Sequence, residues 1–363
     1  MQFWDKDASM HLGTPALLDF FRAHQDDEAL VLATIIATVG STYRKPGAMM
    51  LVARDGSFEG LISGGCLEGD LLHHAANVFE DGVPKRVTYD MHADDDLVWS
   101  LGLGCDGVIH LQLQRLEKDA QFGFLERLDD AHRARRAVLL ALATQTDGRV
   151  PAGAHALLEQ DGAGGGESAL LDVLQGQAAA WPDWRFSNHR FGAARSGEAI
   201  LVHIPPTPRV LICGAGPDAL PLARLLAELG WEIVVTDHRA AFARADRFPA
   251  GCTVLQERPG HLAEAVDPAS LDAAVIMSHH LENDSSYLGS LAAFDIPYIG
   301  VLGPRARRLR LAQLAECQER QLFGPAGLDI GAELPASIAL AIAAEIHAVL
   351  NERDGRYLTE VHA

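Results

Sequence analysis

The segment SGGCLEGD, residues 63–70, has the residue types of a reactive-thiol site. Gly64 and Gly65 precede Cys66, and the apolar spacing that follows predicts a helix beginning just after the cysteine. A cysteine at the start of a helix has a lowered thiol pKa and stays accessible. A thiolate needs both properties to attack, to accept persulfide sulfur or to bind a soft metal. The alternative is a glycine turn with Cys66 pointing into the core.

A second cysteine, Cys105, lies among glycines in LGLGCDG, residues 101–107, with no helix evident after it. Two such cysteines in one domain indicate a shared site for a metal or a cofactor. The loop STYRKPGAMM adds Arg44 and Lys45, cations that suit a phosphate or a carbonyl oxygen of a ligand. A solvated basic loop explains these cations equally well.

The segment GAGPDA, residues 214–219, is a GxGxxA turn that directly follows an apolar strand and opens a helix. Gly214 allows the tight turn, and Gly216 lets the backbone approach a phosphate at the helix N-terminus. Asp237 ends the next strand about 20 residues further on, where an acidic group accepts hydrogen bonds from ribose hydroxyls. The pattern indicates either dinucleotide binding or a Rossmann-like sheet that binds another phosphate-bearing molecule.

Two later loops follow strands at the end where open α/β sheets place their ligands. SHHLEND contains His279 and His280, and LGPRARRLRL begins its basic run at Arg305. Together these loops predict a crevice that receives an anion in an otherwise acidic protein. The alternatives are helix capping by the first loop and a solvated helix face for the arginines.

The hydrophobic pattern of the first half predicts the elements that position the cysteines. LVLATIIATVG and MLVAR predict a hairpin-like pair of strands, and LISGGCLEGDLLHHAANVF predicts a strand, a glycine turn and a helix. AVLLALATQTDGRVPAGAHALLEQDG weakly repeats the strand–loop–strand order, which either duplicated β units or chance explains. The stretch DGAGGGES is predicted to be a flexible surface loop.

The best domain boundary is HIPPTPRV, a cluster of prolines before a new apolar strand. From VLICG to YIGVLG the pattern then alternates strand and helix, which predicts a parallel sheet with helices on both faces. We therefore predict an α/β protein of two domains. Residues 1–206 form an α/β amino-terminal domain that includes a variable middle segment, and residues 207–363 form a Rossmann-like carboxyl-terminal domain.

The net charge of −19 argues against a nonspecific nucleic-acid or anionic-membrane surface, because phosphate binding depends on clustered Lys and Arg. The start of the chain is charged where a signal peptide needs an apolar core, and the apolar stretch SIALAIAAEIHAVL is too short to span a membrane. The five cysteines have no CxxC spacing, which indicates reduced thiols and no zinc site. A cytoplasmic location is the expectation.

These segments together resemble the xanthine dehydrogenase accessory factor family, the XdhC/CoxI proteins. The resemblance rests on ATVGSTYRKPGAMMLV, LISGGCLEGD, LGLGCDG, VLICGAGPDALPLARLLAELGWEIVVTD, SHHLENDSSYL, YIGVLGPRARR and GLDIGAELPASIALAIAAEI. The middle of the chain, from about Arg115 to Ser196, carries little of it. Two positions depart from the family pattern. Asp106 replaces a glycine after the second cysteine, and Pro304 replaces a serine, which removes a hydroxyl and an N–H donor.

The resemblance implies a family-specific amino-terminal domain and a role with the molybdenum cofactor, in its molybdopterin or dinucleotide form. Such a protein binds the cofactor, assists addition of its terminal sulfido ligand and inserts it into an apo molybdenum hydroxylase of the xanthine dehydrogenase type. A cysteine desulfurase is the second implied partner, and a homodimer is the default assembly. By position, Cys66 and Cys105 are the candidates for cofactor, sulfur and metal contact, and Gly214 and Gly216 for phosphate contact.

The alternative from another class is an NAD(P)-dependent oxidoreductase that uses GAGPDA and Asp237, with His279 or His280 as the acid/base. This alternative identifies no catalytic partners for hydride transfer, and it leaves the cysteine motifs without a role. A protein adaptor without a ligand is a third interpretation. We therefore expect a non-catalytic accessory protein more than an enzyme.

Overall fold

A computed structural model of the chain describes residues 13–91, 107–178, 186–192, 196–318, 322–357 and 359. The described residues divide into two compact units, one within 13–206 and one within 207–359, which are called the amino-terminal and the carboxyl-terminal unit below. Among the described residues, no helix combines the length and the apolar character needed to cross a membrane.

The amino-terminal unit contains two antiparallel five-stranded sheets with flanking helices. Its elements in chain order are α1 (Thr14–Ala23), β1 (Ala29–Gly40), β2 (Met49–Val52), β3 (Phe58–Glu59), α2 (Glu68–Asp81), β4 (Lys85–Asp90), β5 (Gly107–Glu117), α3 (Lys118–Arg133), β6 (Val138–Gln145), β7 (His155–Glu159), β8 (Gly164–Gly166), α4 (Ser168–Gln177), β9 (Phe186–Phe191) and β10 (Gly197–Ile204). The first sheet has the strand order β3-β2-β1-β5-β4, and the second has the order β8-β7-β6-β10-β9.

The two sheets are structurally equivalent halves. Each begins with a hairpin, continues through a short edge strand and a helix, and closes with a second antiparallel pair. A β-bulge interrupts the ladder at the same place, at Ile36 between β1 and β5 and at Thr144 between β6 and β10. Gly60 and Gly166, which precede the helix-bearing segments, share a left-handed backbone with φ of 108° and 107°. These matches favour duplicated β units over chance as the origin of the weak repeat.

Alternating side chains place the core of this unit in layers. Leu30 and Leu32 of β1 face an inner cluster that includes Leu140 of β6 and side chains of α1 and α3. The intervening β1 residues face α2, and the outer face of the second sheet likewise packs against α4. Because β1 is covered on both faces, its sequence is nearly continuously apolar rather than alternating.

Two local predictions for this unit are wrong. The apolar start of LISGGC is not a strand; it belongs to the loop of residues 61–67. The glycines of DGAGGGES are not only loop, since Gly164–Gly166 pairs with β7 as the edge strand β8. A chain of glycines forms an edge strand here because Gly166, without a Cβ, approaches the backbone of β7 closely.

The carboxyl-terminal unit confirms the predicted Rossmann-like parallel sheet. Its elements are β11 (Arg209–Cys213), α5 (Ala219–Glu228), β12 (Glu232–Thr236), β13 (Thr253–Leu255), α6 (Leu262–Ala265), β14 (Ala273–Ile276), α7 (Leu281–Leu291), β15 (Tyr298–Val301), α8 (Arg305–Leu314), β16 (Leu322–Phe323) and α9 (Pro335–Leu350). Every pairing is parallel, and the strand order is β13-β12-β11-β14-β15-β16. Apolar clusters cover both faces of the sheet.

The segment between β12 and β14 differs from the simple alternation that the sequence predicted. It contains the strand β13, 3-10 turns and only the four-residue helix α6. The final helix α9 anchors the loop before it, because Glu345 accepts hydrogen bonds from the Tyr298 hydroxyl at 2.6 Å and from the Gly327 N–H at 2.7 Å. The segment GLDIGAELPASIALAIAAEI therefore has a clear structural role.

Candidate functional site

Cys66 lies exposed on the turn of residues 61–67 that leads into α2. The neighbouring side chains Ile62 and Leu67 are fully buried, so the turn is anchored in the core on both sides of the thiol. The Ser63 hydroxyl oxygen accepts hydrogen bonds from the backbone N–H groups of Cys66, at 3.1 Å, and Leu67, at 2.9 Å. The backbone of Cys66 is therefore fixed while its side chain faces solvent.

Glu68, the first residue of α2, holds the other side of this turn. Its buried carboxylate accepts hydrogen bonds from the N–H of Ile62 at 3.1 Å and the N–H of Ser63 at 2.7 Å through Oε1. Through Oε2 it accepts the Ser63 hydroxyl proton at 2.7 Å and a further N–H from Leu67 at 3.2 Å. The Glu68 carboxylate, at the N-terminus of α2, thus accepts four hydrogen bonds, and these hold the turn in one conformation.

The positioning role of Ser63 and Glu68 was not predicted from the sequence. The signal was the spacing of a hydroxyl and a carboxylate around the Gly-Gly-Cys turn, which is typical of side chains that satisfy the free N–H groups at a helix start. Gly65 is left-handed with φ of 98°, which explains one of the two glycines. At Gly64 a Cβ would meet nothing within 4 Å, so no close contact in the structure explains the other glycine.

A second set of contacts ties the first turn of α2 to β4. The Tyr89 hydroxyl donates a hydrogen bond to Asp70 Oδ2 at 2.6 Å, and burial together with this contact raises the pKa of the Tyr89 phenol. His74, one turn further along, contacts Asp70 at 3.4 Å and Lys85 at 2.8 Å. Burial, and then the charge of Lys85, lowers the pKa of His74. The acidic residue Asp70 is thus a link between helix and sheet.

Of the other candidates of this unit, Arg44 lies within the residues that the structure describes and Cys105 does not. Arg44 lies in the β1–β2 loop, where its carbonyl accepts a hydrogen bond from Thr42 Oγ1 at 2.9 Å. In the part of the chain that the structure describes, neither a hydrogen bond nor an ion pair connects the Arg44 side chain to Cys66. Cys105 lies outside the described residues, so the shared cysteine site stays a prediction. Over the described ranges, no cluster of three or more His, Cys, Asp or Glu side chains could hold a metal ion.

Four of the five cysteines are described, and all four are free thiols. Cys213 is fully buried in β11, and burial raises the pKa of its thiol. Cys252 and Cys317 are half-buried, with the pKa of each thiol raised by burial. Among these four, Cys66 alone is exposed, and it is the one that can meet a large ligand or another protein.

In the carboxyl-terminal unit, the GAGPDA turn joins β11 to α5. Gly214 has φ of 116°, and a Cβ at this position would lie 2.7 Å from the carbonyl oxygen of Met277. The glycine therefore permits the close approach of β11 and the segment after β14. At Gly216 a Cβ would meet only the Asp218 carboxylate, at 2.7 Å. The turn has the tight geometry that the pattern predicted, with an acidic side chain beside it.

Asp237 is buried at the end of β12 and is already bonded on both oxygens. Oδ2 accepts the N–H of Ala215 at 2.9 Å, and the Arg239 guanidinium donates to both oxygens, at 2.9 Å and 2.7 Å. Burial acts to raise the pKa of Asp237, but the hydrogen bonds from Arg239 and Ala215 outweigh it, so the net pKa lies below its usual value. A ribose would have to share this carboxylate with partners that fix the glycine turn.

The two later loops bring acidic and basic side chains together beside this turn. His279, left-handed with φ of 61°, has its Nε2 atom 2.7 Å from Asp218 Oδ2. Asp284 is buried and accepts hydrogen bonds from Ser278 N–H at 3.1 Å and from the Arg307 guanidinium at 2.6 Å. Arg305 is exposed at the start of α8. Hence Arg307, rather than Arg305, pairs with the buried Asp284. Asp218 lies at the start of α5, where a phosphate was expected.

Family models match both units. A model described as the XdhC Rossmann domain matches residues 210–346, and a model described as the XdhC and CoxI family matches residues 23–90. The second range contains the Cys66 turn, and the first contains the GAGPDA turn and the Glu345 anchor.

Relatives match over nearly the whole chain. A protein of Bacillus subtilis (strain 168) described as a probable xanthine dehydrogenase subunit is 31% identical over 89% of this chain and 93% of its own length. "Molybdenum cofactor insertion chaperone PaoD" of Escherichia coli (strain K12) is 24% identical over 95% of this chain and 94% of its own length. A crystal structure described as a xanthine dehydrogenase from Bacillus halodurans superposes with a TM-score of 0.79 at 30% identity, covering 94% of this chain and 97% of that chain.

Proposed function

The chain belongs to the XdhC and CoxI family, and from this membership we propose that it is a maturation factor for a molybdenum hydroxylase of the xanthine dehydrogenase type. Its cargo is the molybdenum cofactor, which it binds and delivers to the apo enzyme. The name of one relative, a molybdenum cofactor insertion chaperone matched along 94% of its length, supports this role. The protein acts without turning over a metabolite.

The observation that carries the proposal is the exposed thiol of Cys66 on a turn fixed by Ser63 and Glu68. A thiolate is a soft ligand and suits both molybdenum and sulfur. When bound, the cofactor supplies the metal and its sulfido ligand. The chain presents the Cys66 thiol from a turn whose backbone is held by Ser63 and Glu68.

Sulfur handling and the desulfurase partner are the finer part of the proposal. A Cys66 thiolate that attacks a persulfide on a cysteine desulfurase takes the outer sulfur atom and leaves that enzyme with its thiolate. Cys66 then carries the persulfide, and this exchange between two thiols needs no added oxidant or reductant. Solvent exposure of Cys66 is required for this exchange between two proteins. We place these events in the cytoplasm, where thiols remain reduced.

The test is activation of a purified apo hydroxylase with cofactor, a desulfurase and this protein. We expect the wild-type chain to raise the activated fraction and Cys66→Ala to reduce the gain by at least about tenfold, since the ligand atom itself is removed. Cys317→Ala is the matched control, because it removes a half-buried thiol in the other unit. Equal activation by wild type and Cys66→Ala would instead favour the adaptor that uses no ligand thiol.

A second function, nucleotide binding by the carboxyl-terminal unit, is favoured by one observation. The GAGPDA turn keeps a left-handed Gly214 and opens α5, the arrangement that receives a phosphate at a helix N-terminus. The buried Asp237 and the Asp218 carboxylate act against a dianion there. Titration with NAD and NADP, followed by the fluorescence of the five tryptophans, tests this function. Saturable quenching by either would support it, and no response to both would remove it.

A further inference from the structure

The loop that follows β12, residues 237–248, contains more guanidinium groups than carboxylates. Arg244 pairs with Asp246, and Arg239 pairs with Asp237. Among the described residues Arg247 forms no ion pair, and its Nη1 atom donates to backbone carbonyl oxygens instead. One positive charge of this loop therefore has no opposite charge bonded to it, in a protein of net charge −19.

Two hydrogen bonds place this loop directly against the GAGPDA turn. The Ala215 N–H donates to Asp237 Oδ2 at 2.9 Å, and the Ala215 carbonyl oxygen accepts a hydrogen bond from Arg247 at 2.8 Å. In open α/β sheets of this strand order, the ribose of a bound nucleotide lies between the glycine turn and the end of the neighbouring strand, which is β12 here. The loop of residues 237–248 therefore borders the position of a ribose.

The carboxylate expected to accept the ribose hydroxyls is saturated with hydrogen bonds. Asp237 Oδ1 accepts the backbone N–H and the Nε–H of Arg239, both at 2.9 Å. Asp237 Oδ2 accepts the Ala215 N–H at 2.9 Å and Arg239 Nη2 at 2.7 Å. A carboxylate has about four lone-pair positions, so these donors leave none for a ribose hydroxyl. The Asp237 side chain is also only 1% exposed, so it offers almost no surface to a ligand.

The Arg239 guanidinium is the polar group that the loop presents at this place. The side chain is 40% exposed, and its Nη1 atom has no hydrogen-bond partner in the part of the chain that the structure describes. Its Cζ atom lies 4.0 Å from the centroid of the Phe242 ring, and Arg247 flanks the same ring with Cζ at 5.2 Å. Asp237 on one edge and Phe242 against one face hold the guanidinium in position. A fixed donor thus stands where a nucleotide site usually has an acceptor.

We infer that this loop is a subsite for a phosphate on the ribose 2′-hydroxyl, so that the carboxyl-terminal unit prefers NADP to NAD. The Nη1 group of Arg239 donates to the phosphate oxygens, and the charge of Arg247 adds to the attraction. The free 2′-hydroxyl of NAD meets a guanidinium and a saturated carboxylate instead. The inference rests on the second function proposed above, nucleotide binding by this unit, and it does not involve Cys66.

The test is isothermal titration of the full chain with NADP, NAD, adenosine 2′-monophosphate and adenosine 5′-monophosphate. The 2′-monophosphate has no phosphate to place beside Asp218 at the start of α5, so it reports on the loop after β12 alone. We expect NADP to bind about tenfold tighter than NAD, and the 2′-monophosphate about tenfold tighter than the 5′-monophosphate, the effect of a charge-assisted hydrogen bond. Equal binding of NADP and NAD would overturn the inference and leave nucleotide binding intact. Failure of both NADP and the 2′-monophosphate to bind would overturn it as well.

Three variants locate the preference. Arg239→Gln removes the guanidinium and should weaken NADP binding about tenfold without weakening NAD binding. Arg239→Lys should retain part of the preference, because lysine keeps the charge but not the fork of donors. Arg353→Gln removes a positive charge at an exposed position after α9 and should leave both affinities unchanged. The readout is the ratio of the two affinities, because a partly unfolded variant loses both alike. A ratio in both Arg239 variants equal to that of the wild type would contradict the assignment.

Discussion

The Ser63 hydroxyl lies 2.7 Å from Glu68 Oε2 and at the same time accepts the backbone N–H of Cys66 at 3.1 Å. A buried carboxylate thus positions an exposed thiol through one intermediate side chain. Glu68 supplies the hydrogen bonds that hold this turn in one conformation, whereas Cys66 supplies the exposed thiol for the proposed chemistry. Stability and activity of the turn can therefore be measured separately.

The first prediction concerns Glu68→Gln. The glutamine amide offers only one acceptor oxygen, and its NH₂ group would face N–H donors, so buried groups lose their partners. We expect the free energy of unfolding, from urea titration, to fall by about 2–3 kcal/mol. Asp172→Asn, at an exposed position of the equivalent helix α4, serves as control and should change it by less than about 0.5 kcal/mol. Equal effects of the two changes would show that Glu68 does not hold the turn.

The second prediction tests the equivalence of the two halves. A Cβ at Gly60 would lie 2.4 Å from the carbonyl oxygen of Met49, and a Cβ at Gly166 would lie 2.4 Å from that of His155. Gly60→Ala and Gly166→Ala should therefore destabilise the protein alike, by about 2–4 kcal/mol each, through strain and overlap.

Gly56→Ala and Gly162→Ala are the controls for this pair, one in each half. Both glycines are left-handed, with φ of 87° and 88°, but a Cβ at either would meet open space. Only the backbone preference is lost there, and we expect about 1 kcal/mol for each. If Gly166→Ala had the small effect and Gly60→Ala the large one, the close contact would be particular to the first half.

The third prediction concerns pH. Burial lowers the pKa of His155, whose ring lies 4.3 Å from that of Phe124. The folded protein keeps the neutral ring, whereas the unfolded chain takes up a proton below pH 6.5, the ordinary value for histidine. The stability contribution is therefore present above pH 6.5 and is lost as pH falls below it.

Urea titrations at pH 7.5 and pH 5.5 measure this effect. Between pH 7.5 and pH 5.5 the free energy of unfolding of the wild type should fall by about 1 kcal/mol more than that of His155→Gln. The variant lacks the imidazole that takes up a proton on unfolding. The control His73→Gln replaces an exposed histidine, and its free energy of unfolding should fall over this interval as much as that of the wild type. A His155→Gln variant with the same pH dependence as wild type would contradict the assignment.

Much of the fold could be predicted from the sequence, because its signals are local. The order of apolar strands and helices from Val210 onward predicted the parallel sheet, and the runs LVLATIIATVG and MLVAR predicted the hairpin of β1 and β2. The errors came where tertiary contacts outweigh composition. Gly164–Gly166 forms an edge strand because β7 lies beside it, which residue types alone do not indicate.

Of the candidate site around Cys66, only the thiol itself could be predicted from the sequence. The spacing around Cys66 indicated an exposed thiol before a helix, and the structure places it there. A cleft lined by both Arg86 and Arg190 could not be predicted, since these residues are 104 positions apart in the sequence and only the fold brings their strands, β4 and β9, to one cleft. The interpretation of Asp237 as a ribose acceptor likewise depended on partners, Ala215 and Arg239, that only folding reveals.

The most direct test of the central claim is the molybdenum and pterin content of the protein purified anaerobically under reducing conditions from cells that make the cofactor. Metal analysis and the fluorescence of the oxidised pterin measure both for wild type, Cys66→Ala and Cys317→Ala. We predict pterin and molybdenum in wild type and in Cys317→Ala, and loss of both in Cys66→Ala. Absence of pterin from all three proteins, or equal amounts in wild type and Cys66→Ala, would contradict a cofactor carrier that uses this thiol.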